Sequence, residues 1–122
     1  MIHRSPLPDV EIPDVPLTSF VLARAQEEKP ALIDGTSGQA LTYAGLDIAV
    51  RSLAGGLVAT GFAKGDVLAL MAPNVPEYAV VFHGAAMAGG AVTTINPTYT
   101  ETELHDQLRD SGARPPPPAT GW

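Results

Sequence analysis

Apolar and polar positions fall into blocks along this chain, and each block predicts an element. Leu17, Val21 and Ala25 recur at a spacing of four. That spacing predicts a short helix, capped by Thr18 and running to about Glu28, with Pro30 ending it. Ala31 to Asp34 and Gln39 to Thr42 are short strand candidates. The intervening Asp34-Gly35-Thr36-Ser37-Gly38 has turn composition, so the three pieces predict a hairpin. Thr42 then caps a helix from Tyr43 to about Thr60 with Leu46, Ala49, Val50, Leu53 and Leu57 on one face. Gly61 suits the position after its last turn.

The second half repeats a strand–helix rhythm. Val67 to Met71 is a continuous apolar run, the pattern of a strand buried on both faces in a parallel sheet. Asn74, Pro76 and Glu77 mark a helix start, and the helix runs to about Ala88. Its positions are apolar nearly all round, which predicts burial all round. Gly89-Gly90 breaks it, and Ala91 to Ile95 is the next strand. Thr100-x-x-Glu103 is a capping box that opens a helix to about Ser111, with Leu104 and Leu108 inward and acids outward. The order predicts an α/β fold: a partial parallel sheet with flanking helices joined by right-handed crossovers.

The ends differ from the middle. Residues 1–17 read as an extended Pro-rich arm, 18–114 as the ordered domain and 115–122 as an aberrant tail. The rhythm calls for another strand where Pro115 to Pro118 stand, and proline lacks the N–H a central strand needs. The ordered part is therefore expected to be the opening of a larger enzyme. The helix from Pro76 points the same way, because one strand on each side cannot cover it. If about 400 Å² of apolar surface stays wet, about 10 kcal/mol is forfeited at about 25 cal/mol per Å². That is comparable with the whole stability of a domain, about 5–15 kcal/mol. Self-association through exposed apolar surface is the corresponding expectation.

Composition narrows the function classes. The 122 residues are 45% hydrophobic and 16% charged, which fits one globular domain. The net charge is −6 and the seven Lys and Arg are scattered, so nucleic-acid binding has no electrostatic footing. Cysteine is absent, which removes disulfide and thiol chemistry and fits a reducing compartment. Arg4 is followed by no apolar segment of the signal-peptide kind. Tyr78 to Ile95 carries no formal charge, but its glycines and β-like second half predict helix, turn and strand, not a membrane span. The expected location is the cytoplasm.

Candidate chemistry is sparse. The glycine-bearing turn at Asp34 to Gly38 has no following Lys and opens no helix onto a phosphate, so it reads as a hairpin turn. Ala72-Pro73-Asn74-Val75-Pro76 follows a strand where a dinucleotide fold places its glycines, and it has none. A nicotinamide-binding domain is thereby disfavoured. His3, His83 and His105 share no metal-ligand spacing, and His83 reads as a core residue. Ser19, Ser37, Ser52 and Ser111 have no His–Asp partners in pattern. Glu101, Glu103, Asp106 and Asp110 read as a solvated helix face.

Several short motifs in order carry a family resemblance. They are Pro30-Ala31-Leu32-Ile33-Asp34, Leu41-Thr42-Tyr43, Lys64-Gly65-Asp66-Val67 and Pro73-Asn74-x-Pro76-Glu77-Tyr78. Gly84-Ala85-x-x-Ala88-Gly89 and Thr94-x-Asn96-Pro97-x-Tyr99-Thr100-x-x-Glu103-Leu104 follow, then Gln107-Leu108-x-Asp110-Ser111-x-Ala113-Arg114. Together they make the chain resemble the N-terminal start of the adenylate-forming acyl-CoA synthetases, nearest the 4-coumarate–CoA ligase branch. The resemblance implies a full-length enzyme that uses ATP and Mg²⁺ to convert a carboxylic acid to an acyl-AMP. It then passes the acyl group to coenzyme A. It also implies that the phosphate loop with its Lys, the acyl pocket and the C-terminal catalytic Lys lie beyond Arg114. No catalytic, cofactor-binding or metal-binding residue is therefore assigned in this chain, and the chain alone is expected to be inactive and to bind none of these cofactors. The competing expectation is a small non-catalytic binding or regulatory module derived from the family.

Overall fold

The computed structural model describes residues 5–23 and 28–113. Helix α1 spans Leu17–Leu22, and strands β1 (Pro30–Ile33) and β2 (Ala40–Thr42) follow. Helix α2 covers Tyr43–Ala59, strand β3 Val67–Met71 and helix α3 Glu77–Met87. Strand β4 covers Ala91–Ile95 and helix α4 Glu101–Ser111. β1 and β2 form an antiparallel hairpin. β3 and β4 lie parallel, with Val67 beside Ala91 and Met71 beside Ile95. The expected α/β architecture, a small parallel sheet with flanking helices, is what is observed.

Helix α2 forms where its sequence says it should. The Thr42 side chain accepts a hydrogen bond from the Gly45 N–H at 3.1 Å and closes the first turn. Leu46, Val50 and Ala54 recur at one-turn spacing and are buried. This face packs on α3. The approach is close because Gly84 has no side chain: a Cβ there would stand 2.8 Å from Leu53 Cδ2. After α3, Gly89 takes φ of 91°, the left-handed region where glycine carries no Cβ penalty. That turn sends the chain back into β4.

Several expectations need correction. Thr18 does not cap α1. Pro16 holds the cap position and Thr18 lies in the first turn, 3% exposed. Its hydroxyl is 3.1 Å from His83 Nδ1, so a tertiary partner takes the group the cap would have used. The stripe of Leu17 and Val21 is the exposed side of that helix, with Leu17 58% open to solvent. The helix ends at Leu22 and Glu28 lies in a later turn. Ala25 falls outside the described residues, as do Arg114 and the tail 115–122.

α3 begins where Asn74, Pro76 and Glu77 mark a helix start, with Pro76 at its N-cap and no side-chain bond made there. Backbone bonds from Val75 N to Pro73 O (2.9 Å) and from Tyr78 N to Val75 O (3.0 Å) hold the entry instead. β3 is not buried on both faces. Leu70 is buried, but Ala69 and Met71 on the alternate side are exposed, Met71 at 52%. A sheet of two strands leaves that side uncovered. α3 is not buried all round either. Gly84 and Ala85 are buried, Tyr78 to His83 are half-buried, and Glu77 and Ala86 are exposed. α1, α2, β3 and β4 pack on it but leave part of its circumference open.

Candidate functional site

Because β3 and β4 are parallel neighbours, their carboxyl ends and the turns that follow lie side by side. In open α/β sheets this end is where ligands are received. A cleft of about 410 Å³ opens there. Ala72, Pro73 and Asn74 line it from the turn after β3, and Tyr78 from the first turn of α3. Thr94, Ile95, Asn96 and Pro97 line it from the end of β4 and the next turn. Ile95, 4% exposed, is its buried apolar element.

The walls are set by local chemistry. Asn96 Oδ1 accepts from the Thr98 N–H at 3.0 Å and from the Thr98 hydroxyl at 2.9 Å. The Tyr99 N–H donates to the Asn96 carbonyl at 3.0 Å. These bonds fold the turn tightly after β4. The Thr100–Glu103 capping box then starts α4: the Thr100 N–H donates to Glu103 Oε2 at 2.8 Å. Gln107 reaches back from α4 and donates to Thr93 Oγ1 at 2.9 Å and to the Thr94 carbonyl at 2.8 Å. That side chain ties α4 to the strand beneath the cleft.

The cleft carries no Asp, Glu, Lys, Arg or His. It offers two amides, one hydroxyl, a phenol and two proline rings. Such a lining can hydrogen-bond or pack on neutral groups. It supplies no cation for a phosphate or carboxylate, and no imidazole or carboxylate for proton transfer. Among the described residues, no group of three His, Cys, Asp or Glu could hold a metal ion.

The residues weighed from sequence are dispersed. The Asp34 turn is a hairpin turn as expected, and the structure shows why it cannot double as a phosphate cradle. Asp34 Oδ1 already accepts the Ser37 N–H at 2.6 Å and the Thr36 N–H at 2.8 Å. A carboxylate fills the position an anion would take. Those two donors hold its carboxyl below the usual range, the Ser37 amide contributing most. His83 is half-buried against Thr18, edge-on to Phe82, and stands apart from the cleft lining. His105 is exposed on α4, and His3 is outside the described residues. Sequence reasoning missed Gln107 and the Thr18–His83 pair, for which no local pattern exists. It also missed the Asp34 acceptor, which the Asp-x-Thr-Ser order of an Asx turn signals. Among the described residues no helix is long and apolar enough to cross a membrane.

The comparisons with known proteins agree with this geometry. The family model described as AMP-binding enzyme matches residues 20–115. "4-coumarate--CoA ligase 3" of Oryza sativa subsp. japonica is 44% identical over 117 residues, covering 93% of this chain and 21% of that protein. The chain thus spans about a fifth of the length of the curated relatives it matches. Among solved structures, a Mycobacterium tuberculosis fatty acyl CoA synthetase is 33% identical with a TM-score of 0.65, over 80% of this chain and 18% of that one. The Klebsiella oxytoca NpsA N-terminal subdomain superposes with a TM-score of 0.73 at 24% identity, over 82% of this chain and 26% of that one, a likeness of fold.

Proposed function

Because this chain belongs to the AMP-binding enzyme family, we propose that it is N-terminal scaffold of an ATP-dependent acid–CoA ligase of the 4-coumarate type. The observation that carries the proposal is the 44% identity to the rice ligase over 117 residues. In this reading residues 18–114 are the opening of the large domain, with 1–17 an arm and 115–122 a tail. The complete enzyme acts in the cytoplasm, on a carboxylic acid, ATP and coenzyme A with Mg²⁺.

The chain's own residues are structural in this reading. The developing charge of phosphoryl and acyl transfer needs cations and aimed N–H donors. The cleft at the ends of β3 and β4 has no charged side chain, and the described residues hold no carboxylate cluster for Mg²⁺. They do not fit the metal or a triphosphate, so no chemical step is assigned to them. Their part is to present a neutral, hydrogen-bonding wall and to pack the sheet on which the rest of the enzyme is built.

The test has two arms. The purified chain, given ATP, Mg²⁺, coenzyme A and 4-coumarate, forms no thioester and releases no AMP; turnover by the chain alone overturns the scaffold reading. The rice ligase deprived of its matching segment is then mixed or co-expressed with this chain. Thioester formation returns, with the rice segment itself as the positive control. If the rice segment restores activity and this chain never does, the assignment to a 4-coumarate-type scaffold fails.

A further inference from the structure

Asp34-Gly35 is the only aspartyl–glycyl bond in the chain; every other aspartate precedes Val, Ile, Gln or Ser. Such a bond has a chemistry of its own. The glycine nitrogen attacks the aspartate Cγ and closes a succinimide ring. The N–Cγ bond forms as the Cγ–OH bond breaks, and the amide proton and hydroxyl leave as water. Glycine favours the step because it has no Cβ to shield the nitrogen or restrict the backbone. Water then opens the ring at either carbonyl and returns aspartate or isoaspartate, whose main chain runs through Cγ.

We propose that Asp34–Gly35 is a site of spontaneous isoaspartate formation, held in check by the folded turn and released when the β1–β2 hairpin opens. This goes beyond the scaffold reading and does not depend on it. Gly35 supplies the reactive half. It is exposed, nothing stands within 4 Å of where its Cβ would be, and its N–H donates to no group among the described residues. The turn restrains the other half. Asp34 Oδ1 accepts the Ser37 N–H at 2.6 Å and the Thr36 N–H at 2.8 Å. The Asp34 N–H donates to the Gln39 carbonyl at 2.8 Å, and its carbonyl accepts the Gly38 N–H at 2.8 Å. To reach the Gly35 nitrogen, the carboxyl must leave the position in which both amides hold it, and the Asp34 main chain must turn with it. The same amides, that of Ser37 first, favour the ionised carboxyl, from which oxygen leaves less readily than from the acid. Local opening of the hairpin removes all of these restraints together. The product does not fit the turn again. Its extra main-chain methylene breaks the register that pairs Ile33 with Ala40 and Asp34 with Gln39.

The experiment follows isoaspartate at Asp34 in the full 122-residue chain at neutral pH, without denaturant and across a urea series. Peptide mapping locates it, and enzymatic methyl transfer to isoaspartyl carboxylates counts it. In high urea Asp34 is expected to convert through a species lighter by one water. Without urea conversion is slower by about tenfold or more, the factor that hydrogen bonds to a charged carboxyl carry. Across the series the rate follows hydrogen exchange of the Thr36 and Ser37 amides, the two donors that hold the carboxyl. Gly35→Ala is accommodated by the open turn, since Gly35 is outside the left-handed region, and its methyl group suppresses conversion even in high urea. Absence of isoaspartate at Asp34 in high urea overturns the site, as does conversion that Gly35→Ala leaves unchanged. Equal rates with and without urea overturn the restraint by the turn, as does a rate that does not follow exchange of the two amides.

Discussion

Gly84 on α3 faces Leu53 on α2 with no room for a methyl group: a Cβ at Gly84 would stand 2.8 Å from Leu53 Cδ2 and 3.1 Å from its Cβ and Cγ. Two of those three atoms are near the α2 backbone and cannot swing away. Gly84→Ala raises helix propensity by about 1 kcal/mol. Forcing the helices apart costs about 1–3 kcal/mol. The expected outcome is a net loss of about 1 kcal/mol in urea unfolding. Leu53→Ala added to Gly84→Ala removes Cδ2 and Cγ and leaves only the 3.1 Å contact to Cβ, so the double variant is less destabilised than the sum of the singles. Additive losses contradict this account.

A second glycine makes the opposite case. A Cβ at Gly90 would overlap the Phe62 ring and stand 2.9 Å from the Asp66 carbonyl oxygen. That carbonyl is backbone and accepts the Ala91 N–H at 2.9 Å at the entry to β4. Gly90→Ala is therefore expected to cost about 3 kcal/mol. Phe62→Ala clears the ring but not the carbonyl, so it does not rescue Gly90→Ala. Recovery in the double variant, measured by thermal or urea unfolding, would show that the ring alone sets the limit.

These contacts also mark what the sequence could tell. Caps that act within three residues were legible: Thr42 on Gly45 and Thr100 with Glu103 form as their spacing predicts. The apolar run at Val67 and the strand that follows Gly89-Gly90 were legible as parallel strands, and with them the α/β class. Facing was not. α3 is apolar on every side, so its pattern names no buried side, and the structure buries it only at Gly84 and Ala85. Leu17 and Val21 keep helical spacing yet face solvent, because Thr18 is held inward by a residue 65 positions away. The cleft at Asn74 and Asn96 exists only because two distant turns are brought together by strand pairing. No local pattern encodes that.

The Thr18–His83 bond yields a third prediction. Thr18 is buried, and its hydroxyl lies 3.1 Å from His83 Nδ1 and 3.5 Å from the His83 carbonyl. It is a polar tie between α1 and α3. Thr18→Val keeps the shape and removes the hydroxyl, so about 1 kcal/mol is lost with the hydrogen bond. A double-mutant cycle with His83→Leu is expected to show a coupling of about 0.5–1.5 kcal/mol. Zero coupling would mean that the hydroxyl is spent elsewhere.

Two exposed carboxylates set the response to acid. The Ser37 and Thr36 amides hold Asp34 below the ordinary aspartate range, and the Thr100 amide and hydroxyl do the same for Glu103. Each carboxylate is thus bound more strongly in the folded chain when ionised. Such a group contributes its stability in full above its unfolded pKa, about 3.9 for Asp and about 4.3 for Glu. The contribution is lost as pH falls through the lower folded value. The unfolding temperature is therefore expected to change little through these groups between neutral pH and about pH 5, and to fall below about pH 4. Asp34→Asn with Glu103→Gln lowers stability at neutral pH and flattens the acid limb. The ion pairs Arg51–Asp47 and Arg109–Asp106 are exposed and screened by salt, whereas hydrogen bonds to backbone amides are not. The difference in acid slope between parent and double variant should thus survive added salt. Equal slopes would assign the acid response to other carboxylates, and a difference that salt erases would assign it to through-space charge.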